Sequence, residues 1–138
     1  MLKSSGFRFH EALVVKSMFI KFDKDNEPEP SEKFTIQPFG VINLEANQFQ
    51  LTLSVQFEDN KEGIAIEVDI MGLFSFEGEV EEIKQFLCLN APAILFPYLR
   101  SYITALTSLS GFNSIILPTM NLSGLKGVLE ENLVFKPN

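Results

Sequence analysis

Two stretches with a period of two restrict this chain more than anything else in it. In FQLTLSVQF, residues 49–57, Phe49, Leu51, Leu53, Val55 and Phe57 share one parity, and Gln50, Thr52, Ser54 and Gln56 share the other. Successive side chains of a strand point to opposite faces, so the pattern is a strand with one buried and one wetted face. EDNKEG, 58–63, reads as a turn, after which Ile64, Ile66, Val68 and Ile70 alternate with Glu67 and Asp69. Phe74 and Phe76 keep that parity beyond Gly72, and the whole reads as an antiparallel hairpin.

Upstream, FRFHEALVVKSMFIKF, 7–22, is a long strand with Phe7, Phe9, Leu13 and Val15 on one parity and Met18, Ile20 and Phe22 on the other. The switch predicts a bulge near Lys16–Ser17 and apolar groups on both faces. DKDNEPEPSEK, 23–33, reads as an exposed connection, and VINLE, 41–45, as a further extended piece. Beyond Gly78 the period becomes helical. EVEEIKQFLCL, 79–89, predicts a short helix with glutamates in its first turn, where the helix dipole favours them. Asn90 then caps a second helix over 91–109, with Pro92 in its first turn and Gly111 as its stop. Leu95, Tyr98, Leu99, Tyr102, Leu106 and Leu109 form its apolar stripe, widened by Ile94, Ile103 and Ala105. This is broader than one face of a small sheet requires, so Leu95, Tyr98, Leu99, Tyr102 and Leu106 are assigned to a subunit interface. SIILPTMN, 114–121, is extended, and LSGLKGVLEENLV, 122–134, is a last amphipathic helix. Strands first and helices last give an α+β fold: an antiparallel sheet of about four strands, a long helix and a shorter C-terminal helix, in a single domain over 1–138.

Charge and composition narrow the function. Eleven Lys and Arg against 18 Asp and Glu leave a net charge of −7, which repels phosphate backbones and excludes nucleic acid as a partner. No apolar run approaches the roughly 20 residues that a membrane span needs. The first residues, MLKSSGFRFHE, lack the apolar core of a signal peptide, so a cytoplasmic protein with no membrane insertion is expected. His10 and Cys88 are the sole histidine and cysteine, too little for a zinc site or a Cys–His pair. The chain reads as no enzyme, with no cofactor, no metal and no catalytic residue. Instead, 46% apolar residues including 14 Phe point to a protein that presents apolar surface.

NAPAILFPYLRSYITALTSLSGF, 90–112, resembles the helix of the SecB family of protein-export chaperones, which carries a similar P-x-I-L-F-P-Y-x-R signature. IEVDIMGLFSFEG, 66–78, IILPTMNLSGL, 115–125, and PFGVINLE, 38–45, are similar to further family segments in the same order. The resemblance implies an antiparallel sheet packed by two helices and assembled as a dimer of dimers, a homotetramer. Its implied partners are unfolded preprotein clients, held without ATP in apolar grooves, and the translocase ATPase that receives them. Phe39, Ile42 and Leu44, with Leu125, Val128, Leu129 and Leu133 of the last helix, would line the client groove, with Ile42 and Leu44 solvent-accessible. Glu67 matches an acidic sheet residue that docks the ATPase, on a flat polar face shared with Asp69, Gln50, Thr52, Ser54 and Gln56. The family's acidic pair on the first strand is replaced by Ser17 and Lys21, and no acidic tail follows the last helix. A stand-alone or toxin–antitoxin-linked chaperone therefore stands beside the export role. So do an interaction subunit that binds one folded partner and a carrier of small apolar ligands.

Overall fold

The computed structural model describes residues 6–23, 32–117 and 122–136. Four long strands come first: β1 (Phe7–Lys21), β2 (Glu32–Asn43), β3 (Gln48–Asp59) and β4 (Ile64–Phe76). A 30-residue helix, α1 (Val80–Leu109), follows, then a 3-10 turn (Leu122–Gly124), a short helix α2 (Leu125–Glu131) and a three-residue strand β5 (Leu133–Phe135). The sheet runs β1-β4-β3-β2-β5, antiparallel except for β5, which lies parallel to β2. The sheet is therefore mixed, and LSGLKGVLEENLV is not one helix: Asn132 caps α2, and Leu133 enters the sheet. The expected piece at 41–45 likewise becomes a strand reaching back to Glu32, with Leu44 just beyond its end.

The expected antiparallel hairpin forms. Leu53 opposes Ile70 and Val55 opposes Val68, all buried on the face that carries the helices. The register of β1 shifts twice, between Phe9 and Glu11 and between Val14 and Lys16, so the anticipated bulge lies at Val15, one residue early. These shifts put Phe7, Phe9, Ala12, Val14, Ser17 and Phe19 opposite helix-facing residues of β4. Leu13, Met18 and Ile20 therefore fall on the open face.

The two predicted helices are one. Ile83, Leu87, Ala91, Leu95, Leu99, Ile103 and Thr107 recur every four residues as a single buried line that runs through Asn90 without a break. Asn90 is no cap; its side-chain amide donates to the Phe86 carbonyl one turn back, at 2.9 Å. Pro92 and Pro97 stand inside the helix and deprive the Cys88 and Ala93 carbonyls of their usual donors. Burial of a continuous stripe, worth about 1.5–3 kcal/mol per large side chain, outweighs a proline penalty of roughly 3 kcal/mol. The helix ends as expected, with Gly111 in the left-handed region at φ +84°. Among the described residues, no helix is long and apolar enough to cross a membrane.

Candidate functional site

At one end of the sheet, α2 packs over β2 and β5 pairs beside it. Gly40 is the pivot: a Cβ there would lie 2.7 Å from Leu133 Cδ2 and 2.8 Å from Phe49 Cε1. This close approach lets Leu129 and Leu133 settle on the strand. Ile42 and Leu129 are fully buried in that contact, so the expected accessibility of Ile42 is corrected: it faces the helices opposite Phe49 and belongs to the core. Leu125 and Leu133 are half-buried against the same core. Around this closed floor stand exposed apolar side chains: Leu44 (48% exposed), Val128 (40%) and Phe135 (45%). Phe135 was not singled out, because it stands just beyond the helix read over 122–134. Phe39 is also exposed, but it has the opposite parity to Gly40 and Ile42 and so lies on the other side of the sheet. The residues assigned to one groove are thus divided by the sheet itself.

The edge of β2 beside this floor is open. β5 pairs only with Gly40, Val41 and Ile42. Among the described residues, no strand pairs with Glu32–Phe39 on that side, and the Asn132 amide caps the Pro38 carbonyl at 3.1 Å. About six residues of unpaired ladder, Glu32–Gln37, remain available to an extended chain.

The long helix uses its stripe internally. Leu95 and Leu99 are fully buried against the chain's own sheet, which removes them from any subunit interface. Tyr98 is half-exposed with its ring 5.4 Å from that of Phe9, the Tyr102 hydroxyl donates to Ser17 Oγ at 2.7 Å, and Leu106 packs on the core edge. What α1 leaves outward is a different line, Ala93, Pro97, Ser101 and Ala105, with exposed Leu89 and Leu109 near its ends. Further polar side chains of α1 hold the next segment: Arg100 Nε donates to the Leu117 carbonyl at 3.0 Å, and Thr104 Oγ1 donates to the Ile115 carbonyl at 2.9 Å. Buried Thr107 accepts from the Ile115 amide at 2.9 Å. Arg100 thus secures a backbone rather than pairing with a carboxylate.

The open face of the sheet carries Glu67, as its parity requires, but the carboxylate is engaged. Lys16 Nζ lies 2.9 Å from Glu67 Oε2, and this carboxylate, first as hydrogen-bond acceptor and then as charge, raises the Lys16 pKa. Asp69 accepts from Ser54 Oγ at 2.7 Å. Leu13, opposite Met71, and Met18, opposite Glu67, bring exposed apolar groups to this face, so it is not the purely polar acidic patch expected. Ser17 lies on the helix side under Tyr102, and Lys21 donates to the Glu62 carbonyl at 2.7 Å.

Residues 14–126 match the family model described as preprotein translocase subunit SecB. An uncharacterized protein of Methanocaldococcus jannaschii is 28% identical over 81% of this chain and 79% of its own length. Proteins named protein-export protein SecB are 29% identical in Orientia tsutsugamushi, over 85% of this chain and 80% of that protein, and 28% identical in Anaplasma marginale, over 69% and 57%. The match thus spans little more than half of some curated relatives. Among solved structures, a SecB-like chaperone of Mycobacterium tuberculosis, in complex with a ChAD peptide from the HigA1 antitoxin, superposes with a TM-score of 0.70 at 13% identity, covering 85% of this chain and 92% of that one.

Proposed function

Because this chain belongs to the SecB family, we propose that it is an ATP-independent cytoplasmic chaperone that holds extended apolar segments of unfolded polypeptides on a homo-oligomer. The carrying observation is the set of exposed apolar side chains Leu44, Val128 and Phe135 at the α2–β5 end of β2, together with the unpaired edge of the same strand on the other side of β5. An extended client adds as a strand in line with β5, its backbone satisfied by β2, while alternate side chains reach that apolar set. Backbone pairing supplies affinity without regard to sequence, and shallow apolar contacts accept many side chains. The assembly we propose is a dimer of dimers. Its contacts are the outer edge of β1, which has no strand partner among the described residues, and the outward line of small residues on α1. Sedimentation should give about four times the 15.6 kDa chain mass. The chain should also suppress aggregation of a chemically unfolded protein without nucleotide. A monomer that does not delay aggregation would overturn the reading.

One observation favours a narrower client range. Glu67 is paired with Lys16, and Ser17 and Lys21 make internal hydrogen bonds, so the acidic docking face implied by the resemblance is largely neutralised. A chaperone dedicated to one partner, as an antitoxin peptide is bound by the M. tuberculosis neighbour, fits that arrangement better than handover to the translocase ATPase. Capture of the host's own translocase ATPase at low salt, lost in Glu67→Lys, would restore the export role.

A further inference from the structure

The open face of the sheet ends in a concavity of about 240 Å³, on the opposite side of the sheet from α2. Two cross-strand rows build it. Asn43 opposes Gln48, which opposes Ser75; one step on, Val41 opposes Gln50, which opposes Leu73. His10 enters from the first register shift of β1, where one extra residue is added to the strand, and its Nε2 lies 2.7 Å from Ser75 Oγ. Lys136 closes the far side; its backbone amide donates to the Ile42 carbonyl at 2.8 Å, which fixes it just beyond β5.

The chemistry of this lining runs against that of the whole chain. Acidic residues outnumber basic ones 18 to 11, yet among the described residues the lining holds no carboxylate side chain. It offers a lysine, an imidazole and three side-chain amides over Val41 and Leu73, with the core strand residues Phe49 and Phe74 in its floor. The Asn43 amide is oriented, since its Oδ1 accepts from the Ala46 amide at 3.0 Å and leaves its NH2 group as the donor. Arg8, opposite Ser75, adds a second full cation on this face, and Glu11, opposite Leu73, lies outside the lining. Beside the cup, Phe39, Val41 and Val134 form an apolar shelf: Val41 pairs with Val134, and Phe39 is two residues along β2 on the same parity.

From this arrangement we infer a second polypeptide site, one that takes a carboxylate of an extended partner segment in the cup and an adjacent apolar side chain on the Phe39–Val134 shelf. The carboxylate accepts from Lys136 and the amides, and charge-assisted bonds of this kind are stronger than neutral ones. Its selectivity is opposite to that of a face meant for basic partners, and it does not depend on the chaperone reading.

The test uses the full chain and three short fluorescent peptides with the same apolar residues: one with an internal Glu and an amidated C-terminus, its Gln counterpart, and the Gln peptide with a free C-terminal carboxylate. Anisotropy should show the Glu peptide binding roughly tenfold tighter than the amidated Gln peptide, as one charge-assisted contact requires. Lys136→Met and His10→Ala, both at exposed positions, should each shrink that ratio. Amide resonances of Gln48, Gln50 and Asn43 should shift on binding. If only the free-terminus peptide gains, the carboxylate comes from a chain end and the site stands. Equal binding of all three, or shifts confined to α2 and β5, would overturn it.

Discussion

Gly40 sits where β2 runs beneath α2 and beside β5, and the side chains that fill the space of its missing Cβ are Leu133, Phe49 and Leu129. Gly40→Val should push those leucines off the strand, at a cost of about 1–3 kcal/mol as for other overpacked sites. Loss of the β5 amide protection in hydrogen exchange at unchanged β3–β4 protection would be the signature. Cys88 offers a residue-scale test by pH. Burial first, and then the neighbouring Glu130 carboxylate, push its thiol up to about 11 from the usual 9.0. The folded chain therefore holds the thiol proton more tightly than the unfolded chain. The stability tied to that proton is complete below pH 9 and is lost as pH climbs through 11. The difference in Tm between wild type and Cys88→Ala should change across that window and be flat below it. Native Cys88 should also resist alkylation at neutral pH, since the thiolate is the nucleophile.

At the scale of elements, α1 shows how packing decides a helix that local signals would divide. Pro97 is exposed, and the Ala93 carbonyl it leaves free is restored as an acceptor in Pro97→Ala. That variant should gain up to about 3 kcal/mol if the proline is tolerated merely as a surface break. A fall in Tm instead would show that a bend at Pro97 is what seats both halves of the helix on one sheet. The outward line of Ala93, Ser101 and Ala105 gives the assembly prediction. Ser101→Glu with Ala105→Glu puts charges on a face of small side chains, where close helix approach leaves no room for them. Both positions are exposed in the single chain, so the fold should persist while the sedimenting mass falls.

At the scale of the molecule, all helices among the described residues lie on one face of the sheet, and no other described element covers its opposite face or its β1 edge. Client holding belongs to the α2 end. Leu44→Ser with Val128→Ser and Phe135→Ser should weaken binding of an unfolded polypeptide by roughly tenfold or more, since each exposed apolar contact contributes a fraction of its full burial energy. Ile42→Ser, by contrast, should unfold the β2–α2 contact, because it buries a hydroxyl with no partner in view. A melting temperature unchanged in the triple variant and lowered in Ile42→Ser would separate groove from core.

Alternation with a period of two was enough to establish β3, β4 and which of their faces is buried, because successive strand side chains point to opposite sides. Gly111 was legible for a similarly local reason: only a residue without a Cβ adopts its φ of +84° at no cost. The P-x-I-L-F-P-Y-x-R stretch, with three further segments in the same order, carried the family resemblance from sequence. What local pattern could not decide was competition between distant parts of the chain. Whether α1 broke at Asn90 depended on the sheet beneath it, which buries an unbroken line from Ile83 to Thr107. Whether Leu133–Phe135 continued a helix or joined the sheet depended on Gly40, 93 residues before Leu133, leaving room for Leu133. The sides taken by Phe39 and Ile42 followed from the parity of a strand whose start the sequence did not reveal. The cup at His10 and Lys136 joins residues from opposite ends of the chain. Only the strand order β1-β4-β3-β2-β5 brings them onto one face.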